Sequence, residues 1–100
     1  MSDDNQIART ILDQLGGNRF VAMTGASGFV GHGRVLTMRL PRNKCGANRL
    51  AIALDPDDTY RMVFSSLRSL DLKPVKEVEG LFAEDLQRIF TEVTGMDTHL

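Results

Sequence analysis

Three stretches of this chain alternate apolar and polar residues with a period of two, and a turn sequence separates the second from the third. In the first, Leu36, Met38 and Leu40 point one way and Val35, Thr37 and Arg39 the other. In the second, Leu50, Ile52 and Leu54 oppose Arg49, Ala51 and Ala53. In the third, Tyr60, Met62 and Phe64 oppose Arg61, Val63 and Ser65. Pro41 ends the first stretch, since it cannot donate to a continuing ladder. A polar loop over 42–48 leads to the second. Asp55-Pro56-Asp57-Asp58 then forms a turn, in which Pro56 presets the backbone angle and the aspartates bond back to the main chain. Alternating strands joined by tight turns make an antiparallel sheet with one face to bury.

Two further strands are expected. Phe20 to Gly25 reads as a strand, and the glycine-rich Gly25 to Gly33 as the flexible hairpin loop after it. Leu72 to Val78 reads as an edge strand, because Pro74, Lys73, Lys76, Glu77 and Glu79 resist pairing with other molecules.

The two ends carry helical periodicity instead. Ile7, Ala8, Ile11, Leu12 and Leu15 form one stripe over residues 4–15. Asp3 with Gln6 is a candidate capping box, and Gly16-Gly17 is the stop. Beyond Gly80, the residues Phe82, Leu86, Ile89, Phe90 and Val93 form a second stripe that Gly95 ends. Glu84 is placed to pair with Arg88 one turn on. The order is therefore α-β-β-β-β-(β)-α. One-faced helices and a one-faced sheet satisfy each other, so residues 1–100 are read as a single α+β domain. It is two-layered, an antiparallel meander of four to five strands packed on an N-terminal and a C-terminal helix.

Composition narrows the function. Apolar residues make up 42% and charged residues 25%, which is ordinary for a globular chain. The formal net charge of −1 gives no bulk attraction to nucleic acid or to a membrane. No apolar run reaches the ~20 residues of a membrane span, and no apolar segment follows the acidic start MSDDNQ. A single cysteine, Cys45, makes no internal disulfide and suits a reducing compartment. The expectation is a cytoplasmic protein.

Several constellations carry chemistry in other proteins. Thr24-Gly-Ala-Ser-Gly-Phe-Val-Gly31 resembles the TGxxGxxG turn of extended short-chain dehydrogenases, which implies NAD(P) binding through Gly25–Gly31. The surroundings do not fit. An alternating strand follows where a helix is required, no acidic residue ends a second parallel strand, and Tyr60 is followed by Phe64 rather than by the lysine of the family's Tyr-x-x-x-Lys pair. Cys45 lies near Lys44 and Arg42, which favour thiolate, but no spacing brings His32 or His99 to it. Asp55, Asp57 and Asp58 lack the glycine and distal Glu of a calcium loop. No cofactor, metal or catalytic residue is therefore assigned. Phe82, Phe90 and Met96 read as core before they read as a docking stripe, and any apolar surplus there would serve a homodimer.

The remaining candidate is a surface. Arg39, Arg49 and Arg61 are expected on the outer sheet face, with Arg42 and Lys44 on the neighbouring loop. Such a face suits a macromolecular partner, a protein first. The alternative is single-stranded nucleic acid, although the aromatic residues Tyr60 and Phe64 fall on the inner face where they cannot stack on bases.

Ile11-Leu-Asp-Gln-Leu-Gly-Gly-Asn-Arg-Phe, Leu40-Pro-Arg-Asn and Gly80-Leu-Phe-Ala-Glu-Asp-Leu-Gln-Arg-Ile-Phe-Thr-Glu-Val-Thr-Gly resemble small proteins of phages, prophages and plasmids, a family without an assigned activity. The resemblance implies a bacterial mobile-element setting and a non-enzymatic protein that binds a host or phage component. It carries over no functional residues.

Overall fold

The computed structural model describes residues 3–96. Three helices occupy Asp3–Leu15 (α1), Asn18–Thr24 (α2) and Leu86–Thr94 (α3), the last preceded by a 3-10 turn over Ala83–Asp85. Five strands run over Ser27–His32 (β1), Val35–Arg39 (β2), Arg49–Leu54 (β3), Tyr60–Arg68 (β4) and Asp71–Leu81 (β5). They form one antiparallel sheet in the order β1-β2-β3-β4-β5, so each strand pairs with its neighbour in sequence. This is the two-layer α+β meander that the alternation predicts.

The inner face follows the predicted pattern. Leu36, Met38, Leu50, Ile52, Tyr60, Met62 and Phe64 are buried against Ala8, Ile11 and Leu15 of α1, Phe20 of α2 and Leu86, Ile89 and Phe90 of α3. The Phe20 and Phe90 rings meet edge to face at 4.9 Å, and Phe64 lies 6.4 Å from Phe90. One aromatic cluster therefore joins two helices to β4.

The first strand is displaced from its expected place. Residues 20–24 are helical, and the strand begins at Ser27. A short apolar run does not by itself distinguish a strand from a buried helix turn. Here Phe20 and Thr24 lie one helical turn apart and are both buried. Gly25, at φ 74°, is the left-handed cap, and its N–H donates to the Val21 carbonyl. Thr24 Oγ1 donates to the Phe20 carbonyl at 2.8 Å and accepts the Ala26 N–H at 3.2 Å. The end of α3 repeats the device. Thr94 Oγ1 donates to the Phe90 carbonyl at 2.7 Å, accepts the Met96 N–H at 3.1 Å, and Gly95 caps at φ 77°. Phe-x-x-x-Thr-Gly thus ends a helix at 20–25 as it does at 90–95.

The glycine-rich stretch is a strand rather than a flexible loop. β1 carries a register shift between Ser27 and Val30, and Gly28 sits in it at φ 63°. The hairpin turn is only Gly33-Arg34, with His32 paired to Val35. Gly33, at φ 61°, holds the position that a two-residue hairpin of this kind reserves for glycine. Strand β2 begins at Val35, as expected.

At the other edge, β5 is longer than the predicted 72–78 and runs through Gly80 to Leu81. It is irregular beside β4, with register shifts opposite Phe64-Ser65 and Tyr60-Met62. Arg88 pairs with Asp85 at 3.1 Å and Glu92 at 3.3 Å rather than with Glu84. Asp85 Oδ2 also accepts the Phe82 N–H, and this bond, followed by Arg88, holds its carboxyl below the usual range. The predicted cap at Asp3 concerns a side chain outside those described, and His99 lies outside the described residues.

Candidate functional site

All three helices pack on one face of the sheet. The opposite face has no covering layer among the described residues. Strand register arranges it in rows. Arg39 stands opposite Arg49, which stands opposite Ser65. The next row is Val30, Thr37, Ala51, Val63 and Glu77. The third is His32, Val35, Ala53 and Arg61. Leu67 pairs with Leu72 beyond the arginine row, because the β4–β5 hairpin overshoots β3. Asn48 holds that overhang: its side chain accepts the Leu67 N–H at 2.8 Å and donates to the Leu67 carbonyl at 3.0 Å. An asparagine side chain thereby continues a backbone ladder.

The small residues Ala51 and Ser65 leave a depression between taller neighbours. This groove of about 210 Å3 is lined by Thr37, Arg49, Ala51, Val63, Leu67 and Leu72, among others. Leu72 is 56% exposed and Val30 58%. Its lining is mostly apolar, with Arg49 at one wall.

The five sequence-selected cations divide by location. Arg39 and Arg49 are direct cross-strand neighbours on the outer face, and neither forms an ion pair among the described residues. Arg61 is on the same face, two rows away. It meets Asp55 at 2.7 Å and Glu77 at 3.8 Å. The Asp55 hydrogen bond, then its charge, pushes the Arg61 guanidinium up, so this cation is already matched. Lys44 lies at the helix layer instead. Its N–H donates to the Thr94 carbonyl at 3.0 Å, and its side chain passes Gly95 at the end of α3. Arg42 is exposed on the same loop.

That loop is built around Asn43, which sequence reasoning overlooked. Its Nδ2 donates to the carbonyls of Pro41 and Ala47 at 2.8 and 2.7 Å, and its Oδ1 accepts the Cys45 N–H. Cys45 is half-buried beside Lys44, Val75 and Glu92. The aspartate turn is similarly self-contained: Asp57 Oδ1 accepts both the N–H and the hydroxyl of Thr59, bonds that lower its pKa. Among the described residues no group of three or more His, Cys, Asp or Glu is placed to hold a metal ion. At the dehydrogenase-like stretch, a strand runs where the helix N-terminus that stabilises a pyrophosphate would have to start.

A scan against protein-family models, a search of curated proteins and a search of solved structures each return no match. Among the described residues no helix is long and apolar enough to cross a membrane.

Proposed function

We propose that this is a non-enzymatic binding protein that works in the cytoplasm and presents the outer face of its sheet to a macromolecular partner, a protein. The observation that carries the reading is the coincidence on one face of an apolar groove and two arginines, Arg39 and Arg49, that have no ion pair among the described residues. Exposed apolar surface rimmed by charge is characteristic of interaction sites. The arrangement favours protein over single-stranded nucleic acid. Tyr60 and the rings of Phe20, Phe64 and Phe90 are buried on the helix side, the exposed Phe82 lies beyond the end of β5, and His32 is the one ring standing in the outer rows, too few for a stacking platform. The bacterial mobile-element setting rests on the sequence resemblance alone.

Capture from bacterial lysate on the tagged full chain tests this, with and without nuclease. The expected result is a nuclease-resistant protein that the wild type retains and a folded Ala51→Glu variant does not. Capture that nuclease abolishes would favour nucleic acid. Capture that Ala51→Glu leaves intact would move the site to another surface.

A further inference from the structure

We propose that the groove beside Arg39 and Arg49 recognises an extended acidic peptide segment. One apolar side chain of that segment fills the groove, and a carboxylate two residues away lies on the arginine pair. The inference rests on the preceding reading that the outer face is the binding surface.

The arginine pair supplies the anion site. Like charges directly opposite on neighbouring strands destabilise a sheet. Arg39 and Arg49 occupy such positions, and the residue next in their row is Ser65, not an acid. Elsewhere on the same face a single arginine is matched, since Arg61 is flanked by Asp55 and Glu77. The unmatched pair therefore awaits an anion from outside the described fold. Arginine is suited to this role because its planar fork can hold a carboxylate through two bonds.

The pair is also held in place beside the groove. A Cβ on Gly28 would stand 3.3 Å from Arg39 Cγ, so the Arg39 stem lies across the bulge of β1 in space that the glycine leaves free. Packing the stem reduces the freedom that binding would otherwise remove. Arg49 lines the groove itself, so apolar and cationic contacts adjoin. Side chains on one side of an extended peptide repeat every two residues, about 7 Å apart. That spacing matches a step of one to two strands, about 5–10 Å, from the groove to the pair.

Competing occupants fit less well. A nucleic-acid backbone crossing this face would meet Glu77 and Glu79 on β5, and among the described strands the outer rows hold one exposed ring, His32, two rows from the arginine pair. A second copy laid face to face would add a further Arg39–Arg49 pair to the seam, while Glu77, the acid in the outer rows, is already paired with Arg61.

The test is selection of phage-displayed random heptapeptides on the full chain, followed by fluorescence anisotropy with the selected peptides. The expected consensus is a large apolar residue, any residue, then Asp or Glu. Affinity is expected to fall about tenfold or more in Arg49→Ala and in Arg39→Ala, while the melting temperature holds or rises as the like-charge pair is relieved. Absence of a consensus, a basic consensus, or equal binding by the arginine variants would overturn the proposal. So would salt-sensitive binding of labelled oligothymidine to the same face, or a dimer in sedimentation that these variants dissociate. The two levels fail separately. If lysate capture depends on Ala51 while display gives no acidic consensus, the peptide proposal falls and the surface stands. If capture ignores Ala51→Glu, the surface falls too.

Discussion

Replacing Phe90 by Ala is expected to destabilise the protein by about 3–5 kcal/mol. The ring is fully buried, contacts Phe20 edge to face at 4.9 Å, and lies 6.4 Å from Phe64. Its removal takes one wall from each of three elements, α2, α3 and β4. Those elements are far apart in the chain, so no local rearrangement refills the space. A domain of this length has a total stability of about 5–15 kcal/mol, so the loss is a large fraction of it. Urea unfolding followed by circular dichroism measures the effect. Phe90→Leu, which keeps most of the apolar volume, should cost clearly less. A loss below about 1 kcal/mol for Phe90→Ala would mean that the helices do not share a core with the sheet.

Gly28→Val should be the next most damaging change, at about 2 kcal/mol. Gly28 holds φ at 63° inside β1. A side chain in the left-handed region costs about 1–2 kcal/mol, and β-branching raises that. The approach to Arg39 Cγ adds less, because a flexible stem can shift. If the stretch were a flexible loop, valine there would be nearly neutral. The urea midpoint therefore discriminates a bulged strand from a loop at this position. An unchanged midpoint would contradict the strand.

These two sites mark what the sequence made legible. The sheet was readable because β2, β3 and β4 each have one wet and one buried face, which writes a period of two into Val35–Arg39, Arg49–Leu54 and Tyr60–Arg68. β1 has no such alternation. Its glycines are poor strand formers, and a bulge on an edge strand uses them for conformation rather than packing. α2 is under two turns long, too short for helical periodicity to emerge. The available signal was the recurrence of Phe-x-x-x-Thr-Gly at both helix ends. On the candidate surface, alternation placed Arg39, Arg49 and Arg61 on the outer face, where the structure has them. It could not reveal that Asp55 and Glu77 match Arg61, because side chains from three different segments meet there. Nor could it place Lys44, whose position follows from a backbone bond to Thr94.

The outer sheet face, not the helix layer, is expected to meet the partner. Photo-crosslinking in bacterial cells reads this directly, with a benzoylphenylalanine placed either at Thr37 in the outer groove or at Arg9 on the exposed side of α1. The expected result is a discrete protein adduct from position 37 and none from position 9. An adduct from position 9 alone would contradict it.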